Sequence, residues 1–374
     1  MLTAIIVIVV FSLLILVHEL GHLFAAKKLG VSVEVFSLGM GKRLFGIKMG
    51  GTDYRLSLFP FGGYCKMAGE EPGEAKGASD ELFAKPVGHR FWIMASGSLT
   101  NYLFAFLLFS VIFVIGAPNP ISPNKVGGLL NNYPAEEAGI RVGDIVTSID
   151  DIRTETWEDV LKAINKGVPQ NGLLKITVTR EKESLTFNLR PKLSDVKGPG
   201  GKIESRAVIG ISPAIDFLPG VNPVKAVYRG GKHLLGLTLL TYKMFWLLLT
   251  GAIPVKESLS GPIGIAYFIG KMADLGMVPL LIITAHISMA LAIFNLLPFP
   301  VLDGGHILFL ALEKLRGKPL SLKAQEAIAN VAVFILIAFA VFVSFQDVKK
   351  FTPLGKLGMK HGEAATPMSN TPAK

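Results

Sequence analysis

Four long apolar runs divide the chain, and each predicts a membrane-spanning helix. They cover residues 2–26, 91–116, 279–297 and 328–345. A hydrocarbon core ~30 Å thick needs about 20 helical residues, with a usual range of 17–25, so each run is long enough to cross it. A fifth apolar stretch, residues 225–250, is interrupted by four basic side chains, and we expect it to be an amphipathic helix lying at the interface.

The polar segment that follows the first run predicts the orientation in the membrane. Residues 27–90 hold ten Lys or Arg, which by the positive-inside rule makes this loop cytoplasmic and the N-terminus external. With four spans, both termini are then external.

Short alternating β-type segments occur within this loop at residues 31–38, 45–49 and 54–59. The region 31–67 is either a membrane-associated hairpin or an ordinary cytoplasmic β-meander, and the residues favour neither.

Residues 118–215 have the composition of a soluble α+β domain. Strands are predicted at 125–130, 145–150, 174–179 and 185–189, and a helix at 156–165, with Thr156 as its cap and Asp159 at its third position. The run 133–146 resembles the helix-turn-strand signature of bacterial PDZ domains, with turns at Gly139 and Gly143 and with Asp144 bonding backbone amides.

A second segment supports the PDZ resemblance. Val208, Ile209, Gly210 and Ile211 resemble the carboxylate-loop strand of a circularly permuted PDZ domain, which binds a peptide C-terminus by adding a strand. The alternative is a spacer domain without a ligand.

Together these patterns divide the chain into five parts. They are the first half of a membrane core at 1–117, a PDZ domain at 118–215, an interfacial helix and linker at 216–274, the second half of the core at 275–350, and a disordered tail at 351–374.

The first apolar run contains the group with the most specific chemistry. His18 and His22 are four residues apart, so on a helix they share one face and their imidazoles can hold a zinc ion together. Glu19 lies beside them, where it can take a proton from water, as in the H-E-x-x-H motif of zinc proteases. An ionisable side chain at membrane depth costs about 2.5–3.5 kcal/mol, which argues against an accidental motif.

Asp303 is the candidate third ligand. A catalytic zinc usually has three protein ligands, and Asp303 follows a segment that Pro298 and Pro300 prevent from forming a regular helix. The alternative role for Asp303 is a helix cap, and His306, one turn later, is a weaker ligand candidate.

Composition limits the classes of function. Half of the residues are apolar and only 18% are charged, which indicates a membrane protein. The net charge of +10 is spread through loops beside the apolar runs, which fits membrane topology and anionic lipid and gives no reason to expect a nucleic-acid partner. Cys65 is the only cysteine, so an internal disulfide and a Cys-based zinc cluster are excluded.

Taken in order, these motifs resemble the site-2 protease family, the zinc intramembrane metalloproteases, of the bacterial kind with one PDZ domain. Besides the histidine motif and the PDZ run, the resemblance rests on the segments 295–304 and 260–264. It implies one zinc per chain, held by His18, His22 and Asp303, with Glu19 as general base. It also implies that the hairpin pairs with unwound substrate. The expected substrate-binding residues are Asn101, Asn295, Tyr54, Leu56, Leu58, Gly62 and Gly63.

Two positions depart from the family pattern. Ser98 stands where the family often has Pro, and Ala290 where some relatives have Asn. We expect both differences to leave the metal chemistry untouched.

The resulting hypothesis is a zinc endopeptidase of the bacterial cytoplasmic membrane, with the PDZ domain outside and the active site towards the cytoplasm. Its partners are lipid and single-span membrane proteins, such as trimmed anti-sigma factors or remnant signal peptides. The alternatives are a non-catalytic membrane scaffold that presents a PDZ module and a divalent-metal transporter.

Overall fold

The computed structural model describes residues 2–70, 76–116, 124–166, 172–197, 203–214, 218–253 and 260–351. The predicted tail lies outside these residues, apart from Phe351, which ends the last helix. The described chain forms two compact units. The first comprises residues 1–112, 227–242 and 256–374, and the second comprises residues 113–226 and 243–255.

Four helices are long and apolar enough to cross a membrane, as expected, among the residues described. They are α1 (Leu2–Lys28), α2 (Val87–Ile115), α7 (Met277–Asn295) and α9 (Leu322–Phe351). The α7 helix ends three residues before Pro298, because a proline cannot continue the helical hydrogen-bond ladder.

Three further long helices lie among the described residues. They are α5 (Pro223–Leu249), α6 (Pro262–Asp274) and α8 (Asp303–Arg316). The α5 helix covers the stretch predicted to be amphipathic and is not among the four membrane-length helices. The α6 helix begins within residues 260–264, where the sequence predicts a loop or a helix start, and it continues to Asp274. Gly261 opens this helix and Pro262 is its first residue, a position where the missing N–H of proline has no cost.

In the first unit, the segment after α1 forms two long strands, β1 (Val33–Met49) and β2 (Thr52–Met67), where three short ones were predicted. Gly50 and Gly51 join them, both with positive φ, which is the backbone of the two-residue turn that suits the twist of a hairpin. Residues 33–38 pair with both 53–56 and 63–67, so the hairpin folds back on itself.

Close helix packing in this unit depends on small residues. A Cβ on Gly21 of α1 would lie 2.4 Å from both the Ser96 carbonyl oxygen and the Thr100 hydroxyl of α2. The two helices therefore touch backbone to backbone, which is the usual way in which membrane helices approach closely.

In the part of the second unit that the structure describes there are eight short strands and two more helices, α3 (Pro134–Glu137) and α4 (Trp157–Lys166). The strands are β3 (Val126–Leu129), β4 (Ile145–Ile149), β5 (Ile152–Arg153), β6 (Leu174–Arg180), β7 (Glu183–Leu189), β8 (Lys192–Lys197), β9 (Ile203–Val208) and β10 (Ile211–Pro213). They form a sheet in the order β5-β4-β6-β7 and the two pairs β10-β3 and β8-β9.

Several local predictions for this unit are confirmed. The Asp159 carboxylate accepts from the Thr156 amide at 2.9 Å while the Thr156 hydroxyl accepts from the Asp159 amide at 3.3 Å, a reciprocal cap that begins α4. Gly139 and Gly143 have φ of 89° and 99°, and Asp144 accepts from the Arg141 amide at 2.8 Å. The buried core collects alternate residues of the strands, including Val126, Val146 and Ile176.

Two predictions for this unit are corrected. Residues 208–211 do not form one strand, because Gly210, with φ of 86°, turns the chain between β9 and β10. The β8-β9 pair was not predicted, since its sequence mixes charged residues with apolar ones and has no regular alternation.

Candidate metal centre

The α1 helix presents the two histidines on one face. The His18 and His22 rings meet edge to face with their centroids 4.8 Å apart, and their Nε2 atoms are separated by 3.2 Å. The Nδ1 of His22 lies 2.8 Å from the Ile93 carbonyl oxygen, which can only accept a hydrogen bond. That proton on Nδ1 leaves the Nε2 lone pair directed into the site, the arrangement that metal-binding histidines usually have.

Asp303 reaches the histidines from the first residue of α8. Its Oδ2 lies 3.3 Å from His18 Nε2 and its Oδ1 lies 3.6 Å from His22 Nε2. Gly304 and Gly305 allow the sharp entry into this helix, since a Cβ on either would come within 2.4 Å of backbone carbonyl oxygens in the segment 296–299. Within the described chain, His18, His22 and Asp303 form the group of possible metal ligands, with all three donor atoms within 4.8 Å of one another.

These distances suit a zinc ion. Tetrahedral zinc with bonds of ~2.0–2.2 Å holds its ligand atoms about 3.3–3.6 Å apart. The two Nε2 atoms, 3.2 Å apart, are close to this range, and each has one Asp303 oxygen near it: Oδ2 lies 3.3 Å from His18 and Oδ1 lies 3.6 Å from His22.

Gly97 of α2 gives a second sign of fit. A Cβ at this position would lie 2.3 Å from His22 Nε2 and 2.7 Å from His18 Cε1, so only glycine leaves room for both rings. Two imidazole nitrogens and one carboxylate are also a donor set that zinc prefers.

A cavity of about 240 Å³ opens beside the histidines. His18, Glu19, Gly62, Gly63, Asn101 and Asn295 line it, together with Leu14, Ile15 and Leu291. A Cβ on Gly63 would lie 3.4 Å from Glu19 Cγ, so the hairpin backbone passes directly beside the glutamate.

The expected substrate-binding residues separate into two groups. Gly62, Gly63, Asn101 and Asn295 line the cavity. Tyr54, Leu56 and Leu58 lie elsewhere on the hairpin: the Tyr54 hydroxyl accepts from Lys27 at 2.6 Å, and the two leucines are exposed.

Two further expectations are also resolved. His306 lies outside the ligand group and lines a different cavity with Arg90 and Glu313. Ser98, which was expected to leave the metal chemistry untouched, contacts a candidate ligand, because its buried hydroxyl donates to Asp303 Oδ2 at 3.2 Å. The sequence singled out Ser98 only as a departure from the family pattern, because a single serine in an apolar run does not reveal its hydrogen-bond partner.

Cys65 is outside the metal-binding group. Burial raises the pKa of its thiol to about 12, and the nearby Glu19 and Glu70 carboxylates act in the same direction. The free thiol is therefore protonated at neutral pH.

Comparison with known proteins identifies the class to which this membrane-embedded site belongs. Residues 6–339 match the model of peptidase family M50. A zinc metalloprotease of Clostridium perfringens is 34% identical over 341 residues, covering 90% of this chain and 96% of that protein. One of Campylobacter jejuni is 33% identical over 347 residues, covering 92% of each.

A third relative differs in length. The regulator of sigma E protease of Haemophilus influenzae is 28% identical over 443 aligned positions, which cover 91% of this chain and 97% of that protein. Since 443 exceeds the 374 residues of this chain, that relative carries additional residues within the matched region.

The chain belongs to peptidase family M50, the site-2 proteases. It is a zinc-dependent metalloprotease with four membrane-length helices among its described residues, so the alternatives of a non-catalytic scaffold and a metal transporter are set aside.

Proposed function

We propose that this protein is an intramembrane endopeptidase, with zinc held by His18, His22 and Asp303 and with Glu19 as the general base. The observation that carries the proposal is the meeting of two histidine Nε2 atoms, 3.2 Å apart, with the Asp303 carboxylate, whose Oδ2 lies 3.3 Å from His18 and whose Oδ1 lies 3.6 Å from His22. Two imidazoles and one carboxylate are a donor set that binds catalytic zinc. Bound zinc supplies a Lewis acid that polarises the peptide carbonyl and lowers the pKa of water.

Glu19 carries the proton in this reaction. One oxygen of its carboxylate takes a proton from the attacking water, whose oxygen forms the new bond to the peptide carbonyl carbon. The same carboxyl then gives the proton to the leaving amide nitrogen as the C–N bond breaks. Glu19 lines the cavity beside His18, within reach of a peptide that enters there.

The substrate enters this cavity as an extended strand. A helix hides its carbonyl groups, so a transmembrane segment must unwind before its peptide bond can be attacked. Gly62 and Gly63 line the cavity beside Glu19, where a second backbone can run along the hairpin, while the Asn101 and Asn295 amides can bond its peptide groups. The exposed Leu56 and Leu58 extend the apolar surface of the hairpin away from the cavity.

The orientation and substrates follow from charge and from the relatives. The ten Lys or Arg in residues 27–90 favour a cytoplasmic position for this segment, with the active site towards the cytoplasmic side of a bacterial inner membrane. The name of the Haemophilus relative supports substrates that regulate a sigma factor, and single-span proteins of that kind form the proposed substrate class.

We propose further that the second unit is a PDZ domain that binds peptide C-termini outside the membrane. Among the described residues β10 has β3 as its strand partner, so its other edge can accept a peptide strand. The turn at Gly210 precedes this edge, where a ligand carboxylate would meet backbone amides.

The Glu19→Gln variant tests the protease assignment. Glutamine keeps the shape but cannot take a proton, so we expect cleavage of single-span helices to fall at least about 100-fold. Zinc content, measured by metal analysis, should stay near one per chain. Glu34→Gln, which changes a half-exposed glutamate on β1, is the control and should cleave normally. Unchanged turnover in Glu19→Gln would refute the assignment.

A further inference from the structure

One face of α2 contacts all three proposed metal ligands. The Ile93 carbonyl accepts from His22, the Ser98 hydroxyl donates to Asp303, and the Asn101 amide lies 3.5 Å from His18 Nδ1. Ile93, Gly97 and Asn101 are spaced four residues apart, and Ser98 is three residues before Asn101, so these positions lie on one side of the helix. Each ligand therefore has a separate partner on the same rigid element.

The Ser98 hydrogen bond is unusual for a serine inside a helix. Such hydroxyls commonly bond to the carbonyl four residues earlier in their own helix. Ser110 does this with the Phe106 carbonyl at 2.8 Å, and Thr100 does it with Ser96 at 2.7 Å. Ser98, fully buried, instead donates to Asp303, which is 205 residues away in sequence.

This bond restricts the orientation of the carboxylate. Oδ2 accepts from Ser98 at 3.2 Å and faces His18 at 3.3 Å, while Oδ1 faces His22 at 3.6 Å. A carboxylate that rotates freely must lose that freedom when it binds a metal. A buried donor that already holds one oxygen lowers this cost, which is why the outer partners of metal ligands affect affinity.

Asn101 completes the set at His18. Its Oδ1 is buried and has no hydrogen-bond partner among the described residues, while its Nδ2 lies 3.5 Å from His18 Nδ1. Turning the amide by half a rotation brings Oδ1 opposite Nδ1–H, which satisfies the oxygen and leaves the His18 Nε2 lone pair for the metal. Ser288 of α7 fixes this part of α2, because its hydroxyl donates to the Asn101 carbonyl at 2.8 Å.

We infer that α2 is the positioning helix of the metal centre and that Ser98 is a positioning residue for Asp303. The inference rests on the proposed function, since it takes these three residues to be the zinc ligands. Ser98 touches neither the substrate nor the metal in this account, and it acts only through the carboxylate.

The Ser98→Ala variant tests this inference through metal binding in the full-length protein. Alanine lacks only the hydroxyl group of serine, and it has a high helix propensity, so α2 should stay folded. We expect zinc affinity, measured by competition with a chelator, to weaken about 10- to 100-fold. The visible absorption spectrum of the cobalt-substituted protein should also change, since it reports the geometry of the ligands. Ser110→Ala removes a hydroxyl from the same helix away from the ligands, and should match the wild type in both measurements.

A second variant separates the hydroxyl from other effects of substitution. Ser98→Thr keeps the donor, and its zinc affinity should lie closer to that of the wild type than to that of Ser98→Ala. If Ser98→Ala binds zinc within twofold of the wild type with the same cobalt spectrum, the positioning role is refuted. If the wild-type protein itself binds no zinc at this site, the proposed function fails instead.

Discussion

At the scale of single residues, the absence of a side chain at Gly97 allows the two imidazoles to pack against α2. A Cβ at this position would lie 2.3 Å from His22 Nε2, which is too close for any residue other than glycine. The histidines cannot be carried away from α2 by a small shift of α1, since the two helices are in backbone contact at Gly21. A glycine inside a helix usually costs ~0.5–1 kcal/mol relative to alanine, and here the metal centre requires it.

Gly97→Ala should therefore weaken zinc binding while leaving the helix intact. Inserting a methyl group into a tightly packed site costs about 1–3 kcal/mol, which corresponds to roughly 5- to 150-fold in affinity. Chelator competition measures the change. Gly88→Ala, on the same helix with no atom within 4 Å of the new Cβ, is the matched control and should bind zinc normally. Equal affinities in the two variants would contradict this account of Gly97.

At the scale of elements, a buried ion pair joins the turn before β4 to the end of β6. Both oxygens of Asp144 accept from Arg180 at 2.7 Å, and Oδ2 also accepts from the Arg141 amide. Burial alone raises the pKa of the Asp144 carboxyl, but these hydrogen bonds outweigh it and hold the pKa below its ordinary value. The pair stabilises the second unit only while the carboxylate is ionised.

Asp144→Asn should make β4 and β6 open more easily at neutral pH. The expected loss is about 2–3 kcal/mol, because Arg180 loses its charged partner. The folded pKa lies below the unfolded value of about 3.9, so the stabilisation is complete above ~pH 4 and disappears as the pH falls through the folded pKa. The difference in the free energy of opening between Asp144→Asn and the wild type should therefore shrink as the pH falls through the folded pKa.

Hydrogen exchange of the β4 and β6 amides in the full-length protein, followed by mass spectrometry at several pH values, measures this effect. Asp151→Asn changes a carboxylate that is 91% exposed and should leave the exchange unaltered. A constant difference from pH 7 down to pH 3 would argue against the ion pair as its cause.

At the scale of the whole molecule, the chain combines two environments. The first unit contains the four membrane-length helices and the candidate metal centre, and the second has its own buried core of strand and helix residues. A separate core means that ligand binding by the second unit does not need an active protease.

The full-length Glu19→Gln protein should therefore bind peptides that end in a free carboxylate and an apolar residue. Amidating that C-terminus removes the charge and should weaken binding at least about tenfold, since charge-assisted hydrogen bonds to backbone amides are lost. Isothermal titration calorimetry with the free and the amidated peptide measures the two affinities. No binding by either peptide would leave the second unit as a spacer, and equal affinities would show that the C-terminal carboxylate is not recognised. Either result would refute the PDZ proposal.

The chemistry of the site was readable from the chain because it depends on local spacing. Four residues separate His18 from His22, and helical geometry alone brings them together. The proline-broken segment before Asp303 signalled a polar group with a role at membrane depth, and the apolar runs predicted four spans. The cap of α4 was equally predictable, because its donor and acceptor are three residues apart.

Contacts between distant segments could be found only in the folded structure. The sequence by itself determined the four membrane-length helices, the cap of α4 and the residue types that could bind zinc, because periodicity and apolar length act locally. Only tertiary structure decided that Ser98 bonds to Asp303, that Gly62 and Gly63 pass beside Glu19 while Leu56 and Leu58 do not, and that residues 262–274 are a helix. Those outcomes depend on which surfaces approach within a few ångströms, and no spacing along one chain encodes that distance.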